Sequence, residues 1–231
     1  MKINEFFQKG YYINLDRRPE RRAGFEEEAK KINLDGWFER FAGIDYLTRE
    51  YPMYVHEPAH VHKGAAFSET VYELFKKINE QPHERVLICE DDMLFYNNGS
   101  EPALQIVEKA LDQLQNFPDW DMVYFGGYVV DDKVKHVSEN LLKPDILLTT
   151  HAIGYNKKVI PKLLKRYDHT LQTIFDGWLS QQKFMNKYFV YPMAVVQKDG
   201  ESDIDAFGRA PGLSHWEEAY KLLEPRLVKM F

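Results

Sequence analysis

The chain has 231 residues, 44% of them hydrophobic, which suits one generous α/β domain or two small ones and argues against disorder. Thirty-six acidic residues against thirty basic ones give a formal charge of −6, without the broad cationic surface of a nucleic-acid binder, so nucleic acid is not an expected partner. The lone cysteine, Cys89, excludes an intramolecular disulfide framework and a cysteine zinc cluster, which fits a reducing, cytoplasmic setting.

The amino-terminal stretch has neither a long apolar core nor a small-residue cleavage site, and nowhere do roughly 18 apolar residues run together, so neither a secretory signal nor a membrane-spanning helix is expected. Residues 11–15, rich in aromatic and β-branched side chains, read as a first strand, stopped by Asp16-Arg17-Arg18-Pro19. Pro19 suits a first helical turn, and Arg21, Phe25 and residues 26–32 continue that helix. A short strand follows at 38–44. The spacing of Val71, Leu74, Phe75 and Ile78 predicts an amphipathic helix over 68–78. Residues 85–89 form a continuous apolar run of buried-strand type that ends in Glu90-Asp91-Asp92. Further on come a helix at 102–114, strands at 122–125 and 146–148, and helices at 157–166 and 174–187. Residues 199–212 read as a loop over the site or a mobile tail, and residues 213–231 as a helical tail. With no repeat or linker, this alternation predicts a single α/β domain with a mostly parallel central sheet.

Three places could carry chemistry. Glu90, Asp91 and Asp92 follow a buried strand and would repel one another unless solvated or neutralised by a cation. Hard oxygen ligands favour magnesium, manganese or calcium, and a magnesium or manganese ion held by one or two carboxylates keeps positions free for a diphosphate. The competing account is a solvated turn. Arg17 and Arg18 after the first strand offer guanidinium forks suited to phosphate, or they are a charged helix start. Asp176, in Phe175-Asp176-Gly177-Trp178, is either a general base or a helix cap. His56, His60 and His62 match no established zinc spacing. His151 and His215 could each approach a metal site, and spacing does not choose between them.

Taken in order, these pieces resemble glycosyltransferase family 25, the family of bacterial lipooligosaccharide sugar transferases and collagen galactosyltransferases. The resemblance rests on Tyr12-Ile13-Asn14-Leu15-Asp16-Arg17-Arg18 with Arg22, Arg40-Phe41-Ala42-Gly43-Ile44-Asp45, Leu87-Ile88-Cys89-Glu90-Asp91-Asp92, and Trp120-Asp121-Met122-Val123-Tyr124-Phe125-Gly126. It extends through Thr150-His151-Ala152-Ile153-Gly154-Tyr155, Phe175-Asp176, and Gln197 with Ser202-Asp203-Ile204. It implies a Rossmann-like GT-A fold and a metal-dependent enzyme that transfers a sugar from a UDP-sugar, with inversion, to a hydroxyl of a glycan or lipid-linked glycan acceptor. It implies Mn2+ or Mg2+ held by Asp92, Glu90 and His215, and Asp176 as the base. Asn14, Asp16, Arg17, Arg18, Arg22, Asp45, Glu90, Asp91, Ser202 and Asp203 are the implied donor-binding residues. One departure stands out: where the family usually has Gly-Cys-x-x-Ser-His, this chain has Gly64-Ala65-Ala66-Phe67-Ser68-Glu69. A catalytically silent nucleotide-sugar-binding module of the same fold, and a metal-dependent phosphate hydrolase, are the competing functions.

Overall fold

A single helical turn, α1 (Ile3–Phe6), leads into β1 (Lys9–Asn14), α2 (Pro19–Lys31) and β2 (Phe38–Ala42) in the structure, a computed structural model. It describes residues 1–97, 101–167, 174–198, 200, 203 and 213–229, without the side chains of 213–215, 220 and 229. The chain continues through α3 (Ala59–Glu80), β3 (Arg85–Glu90), β4 (Met93–Phe95), α4 (Ala103–Leu114), β5 (Met122–Tyr124), β6 (Tyr128–Val129), β7 (Val134–Ser138), β8 (Leu141–Lys143) and β9 (Leu147–Leu148). Then follow β10 (Ala152–Asn156), α5 (Ile160–Arg166), α6 (Phe175–Ser180), β11 (Lys187–Val190), β12 (Val195–Gln197), α7 (Leu213–Leu223) and β13 (Leu227–Lys229).

Nine strands form one sheet in the order β13-β7-β8-β11-β5-β10-β3-β1-β2. The pairings β1–β2, β1–β3, β5–β11 and β7–β13 are parallel, and those of β10 with β3 and β5 and of β8 with β11 and β7 are antiparallel. Seven of the nine strands therefore run one way, with β8 and β10 opposed, so the sheet is mostly parallel as expected. Period-two alternation sorts the strand side chains into two cores. Tyr11, Ile13, Val86 and Ile88 meet Val71, Leu74, Phe75 and Ile78 of α3 together with α5 and α6. Tyr12, Leu87 and Cys89 point to the other face, against Phe25 and Ala29 of α2 and Ile106, Val107 and Leu111 of α4. Both faces are covered, which is why these strands read as unbroken apolar runs.

The structure departs from the sequence expectation in several elements. Helix α3 begins at Ala59, well before the expected 68, because Ala65 and Ala66 are buried there although the turns before them lack an apolar stripe. The helix expected over 174–187 ends at Ser180, and Lys187 opens β11, a fully buried strand whose polar first residue disguised it. The strand expected at 146–148 is the two-residue β9, paired with β6 outside the main sheet. The tail at 213–231 is a helix followed by β13, which adds an edge strand parallel to β7. The 199–212 expectation falls almost wholly outside the described residues. Among the described residues no helix is long and apolar enough to cross a membrane.

Close packing of β10 depends on Gly154, where a Cβ would lie 2.4 Å from Cζ of Phe7 and 2.9 Å from Cγ1 of Val123. Gly154→Ala should therefore lower stability by roughly 1–3 kcal/mol through overpacking. Urea denaturation measures it, and an unchanged midpoint would mean that the Phe7 ring yields without cost.

Candidate active site

The carboxyl ends of β1, β2 and β3 lie side by side, with Asn14 opposite Ala42 and Ile13 opposite Glu90, so the loops that follow these strands converge. In open α/β sheets this is where a crevice forms. Strand β10, running the other way beside β3, brings its amino-terminal end to the same rim, with Ala152 opposite Cys89.

Glu90, Asp91 and Asp92 turn the chain out of β3, and the last two are buried. Asp91 is fully engaged: one oxygen accepts from Nδ2 of Asn14 at 2.7 Å and the other is paired with Arg21. Arg21 also donates through Nη2 to Oδ2 of Asp92 at 2.8 Å. Glu90 accepts from the Thr150 hydroxyl at 2.6 Å. Burial, reinforced by the charge on Asp92, pushes the Glu90 carboxyl above its ordinary range. Burial also raises Asp92, against the pull of Arg21. Oδ1 of Asp92 is buried and has no hydrogen-bond partner among the described residues, while its Oδ2 has Arg21 and a 3.4 Å contact from Gln197.

The acidic turn is thus not neutralised by solvent. Arg21 is shared by two of the three carboxyl groups, so its one positive charge falls short of the turn whenever all three are ionised. A divalent cation fits that deficit, and the open hard oxygen on Asp92, with Glu90 beside it, is the donor set magnesium and manganese prefer. Among the described residues no three His, Cys, Asp or Glu side chains form a ready-made cage.

Arginines line the other side. Arg17 donates from Nε to Asp45 at 2.6 Å and from Nη2 to Asp203 at 2.7 Å. Arg18 donates from Nε to Asp203 at 2.9 Å. Arg40 donates from Nε to Oδ1 of Asn14 at 2.9 Å and pairs with the exposed Asp16 at 2.5 Å. Arg22 does not join this group, since it points outward along α2 to Glu26 at 2.9 Å. Ser202 and the side chain of His215 lie outside the described residues.

Asp176 sits in the first turn of α6 without serving as its N-cap, a position that Ile174 occupies. Its Oδ2 accepts from the backbone N–H of Thr149 at 3.0 Å and its Oδ1 from that of Gly177 at 2.7 Å. Thr149 has φ 73°, a left-handed conformation that a non-glycine residue adopts at a cost, so Asp176 holds a strained backbone next to Thr150, the partner of Glu90. His151 is fully buried: its Nε2 donates to the Val195 carbonyl at 3.1 Å and its ring meets Trp216 edge-on at 5.2 Å. It is a core residue. The approach of Val195 requires Gly126, where a Cβ would lie 1.7 Å from that carbonyl oxygen.

Arg21 is the residue that sequence reasoning passed over as part of a charged helix start. Its signal was available, because it lies four residues before the buried Phe25 and so shares the inward face of α2, whereas Arg22 shares the outward face with Glu26. Thr150 and Gln197 stood in the quoted motifs without a role.

The geometry defines an α/β protein with carboxylates and arginines gathered at the carboxyl ends of its parallel strands. The pattern described as Glycosyltransferase family 25 (LPS biosynthesis protein) matches residues 7–174, and the chain belongs to that family. A "Glycosyltransferase 25 family member" of Aedes aegypti is 29% identical over 130 residues, covering 50% of this chain and 20% of the relative, so the chain spans about a fifth of that relative's length. Of solved structures, UDP-glucose pyrophosphorylase complexed with UDP-glucose is similar with a TM-score of 0.44 and 10% identity, over 94% of this chain and 81% of that one. A glycosyltransferase involved in the glycosylation of the major capsid of PBCV-1 gives a TM-score of 0.30 and 11% identity over 68% and 63%. The family match takes in Asn14 to Asp92 and Thr150, and ends before Asp176 and Asp203.

Two stability predictions follow from these contacts. Arg21→Gln strands two carboxylates and should cost roughly 3 kcal/mol, the usual penalty for breaking one side of a buried pair. A double-mutant cycle with Asp92→Asn by denaturant unfolding checks it, and additive losses would deny the coupling. Burial lowers His151 to about 4, so between that value and its ordinary 6.5 the unfolded chain binds the extra proton. This residue should therefore remove stability as pH falls through that window, by about 3 kcal/mol in all. His151→Gln should flatten that part of the acid-unfolding curve relative to wild type.

Proposed function

We propose that the chain is a GT-A type, metal-dependent, inverting glycosyltransferase that moves a sugar from a UDP-sugar to a hydroxyl of a glycan or lipid-linked glycan, and that it works in the cytoplasm. The observation that carries the reading is Oδ1 of Asp92, buried and without a hydrogen-bond partner among the described residues, in an acidic turn at the carboxyl ends of parallel strands where Asp91 and Asp92 share one arginine. The family's description as an LPS biosynthesis protein supports a glycan acceptor.

In this reading Asp92 and Glu90 hold manganese or magnesium, which when bound offsets the charge developing on the leaving diphosphate. Arg17 and Arg18 grip the diphosphate through their forks, and Asp45 holds Arg17 in place. Asn14 ties β1 to the acidic turn through Asp91, with Arg40 and Asp16 ordering its outer side. Asp176 takes the acceptor's proton as the hydroxyl attacks the anomeric carbon from the face opposite the diphosphate. The two N–H groups that grip its oxygens leave a lone pair on each for that proton.

Calorimetric titration tests the donor side. UDP should bind in the presence of manganese and much more weakly with excess chelator, and Asp92→Ala should abolish the difference while the protein stays folded. Equal affinity in both buffers would remove the metal from the reading. On the acceptor side, Asp176→Asn should cut transfer by about a hundredfold to ten-thousandfold with UDP affinity unchanged. Because asparagine turns an NH2 group toward one of the two backbone donors, thermal stability is measured alongside. Transfer, UDP affinity and stability falling together would make Asp176 a backbone clamp and move the base elsewhere.

A further inference from the structure

Three guanidinium groups from one short stretch of chain converge on a single carboxylate that arrives from far along the sequence. Asp203 accepts from Nη2 of Arg17 at 2.7 Å, and from Nε of Arg18 at 2.9 Å and its Nη2 at 3.0 Å. It also lies 3.5 Å from Nη1 of Arg21. Arg17 and Arg21 are committed on their other sides, to Asp45 and to Asp91 with Asp92. Among the described residues, Asp203 is the carboxylate that all three guanidiniums share.

We propose that Asp203 is a resident anion: its carboxylate fills the arginine forks while no substrate is bound, and the diphosphate of the donor displaces it. The proposal rests on reading Arg17 and Arg18 as diphosphate ligands. It changes the role of Asp203 from a contact of the donor to a competitor for the donor's place.

The chemistry of the forks supports competition. A guanidinium offers the same N–H donors to a carboxylate and to a phosphate, so the N–H groups of Arg17 and Arg18 that Asp203 occupies are not open to a phosphate at the same time. A diphosphate carries more negative charge and more acceptor oxygens than one carboxylate, so it is the stronger occupant when present. Without Asp203, Arg18 would lose the carboxylate that its Nε and Nη2 share, beside Arg17 and Arg21, which keep Asp45 and Asp91 with Asp92. Asp203 suits that place, for although burial alone would raise its carboxyl, the hydrogen bonds from Arg18 and Arg17 hold it below its ordinary range and it stays ionised. The chain before it is fastened separately, by pairing of β12 with β4, by the Lys198 N–H to the Asp92 carbonyl at 2.8 Å, and by Nζ of Lys198 to the Gly24 carbonyl at 3.1 Å. A donor contact and a resident anion differ in sign: removing the first weakens nucleotide binding, and removing the second strengthens it.

The test is calorimetric titration of wild type, Asp203→Asn and Arg18→Ala with inorganic pyrophosphate in metal-free buffer and with UDP plus manganese. Asp203→Ser serves as a second variant should the Asn form not fold. The Asp203 variant should bind pyrophosphate about fivefold or more tightly than wild type, and its melting temperature without ligand should fall. Arg18→Ala should bind pyrophosphate more weakly than wild type. Equal or weaker pyrophosphate binding by both Asp203 variants, or no binding at all, overturns the proposal. Tighter pyrophosphate binding without added affinity for UDP over pyrophosphate upholds the resident anion and removes the nucleotide-donor reading instead.

Discussion

Neutralising the acidic turn at the end of β3 is the constraint around which this site is arranged. Like charges 4 Å apart cost about 4 kcal/mol at the effective dielectric of a protein surface, and more where water is excluded. Asp91 and Asp92 are both buried, so the chain cannot leave them to solvent. Arg21 meets both with one nitrogen, and the meeting fixes α2 against β3 from the outside of the sheet while Asn14 fixes β1 to the same turn from within. Because the loop between β1 and α2 is short, placing Arg21 also places Arg17 and Arg18 along the rim. The cationic and acidic sides of the crevice are thus two ends of one electrostatic arrangement.

Strand β10 gives the crevice its third wall. A parallel strand between β3 and β5 would have brought its carboxyl end to the rim, followed by a loop and a helix. The reversed strand brings its amino-terminal approach instead, so that Thr149, Thr150 and His151 arrive just before β10 begins. Thr150 then reaches Glu90, and the Thr149 amide reaches Asp176. A path of hydrogen bonds and one peptide link therefore connects the acidic turn to the first turn of α6. Buried His151 supports it from beneath, with its own carbonyl accepting the N–H of Glu90 at 3.0 Å and its ring held by Val195 and Trp216.

The legible parts of the sequence were those in which a local pattern and the fold agree. β1, β2, β3, α2 and α4 stand within a few residues of where alternation and spacing put them, and Glu90-Asp91-Asp92 lies at the strand end where the apolar run stops. Elements that owe their form to distant partners were not legible. β8, β10 and β11 are short and lie among segments of mixed polarity, and only pairing across the sheet makes strands of them. The same holds within the site. That an arginine stood near the carboxylates was readable, but that Arg21 rather than Arg22 turns inward depends on the register of α2 against Phe25. That both oxygens of Asp176 receive backbone N–H groups depends on Thr149, far away in sequence.

The departure at Glu69 has a physical counterpart. Where the family usually has histidine, this chain has a carboxylate that is 8% exposed on α3, and a buried carboxylate needs partners that a histidine does not. Arg49 meets it at 2.5 Å and the Tyr51 hydroxyl at 2.9 Å, both from the segment after β2, and the Tyr51 hydroxyl is pushed upward by burial and then by Glu69. On the adjoining turn the Thr70 hydroxyl accepts the Ile44 N–H at 2.8 Å, which ties the same segment to α3 next to Asp45, the partner of Arg17. Glu69 thus meets a complementary cation and a hydroxyl donor, both on the segment that carries Asp45. A histidine at position 69 would leave Arg49 without its carboxylate and loosen that segment where it meets the arginine rim.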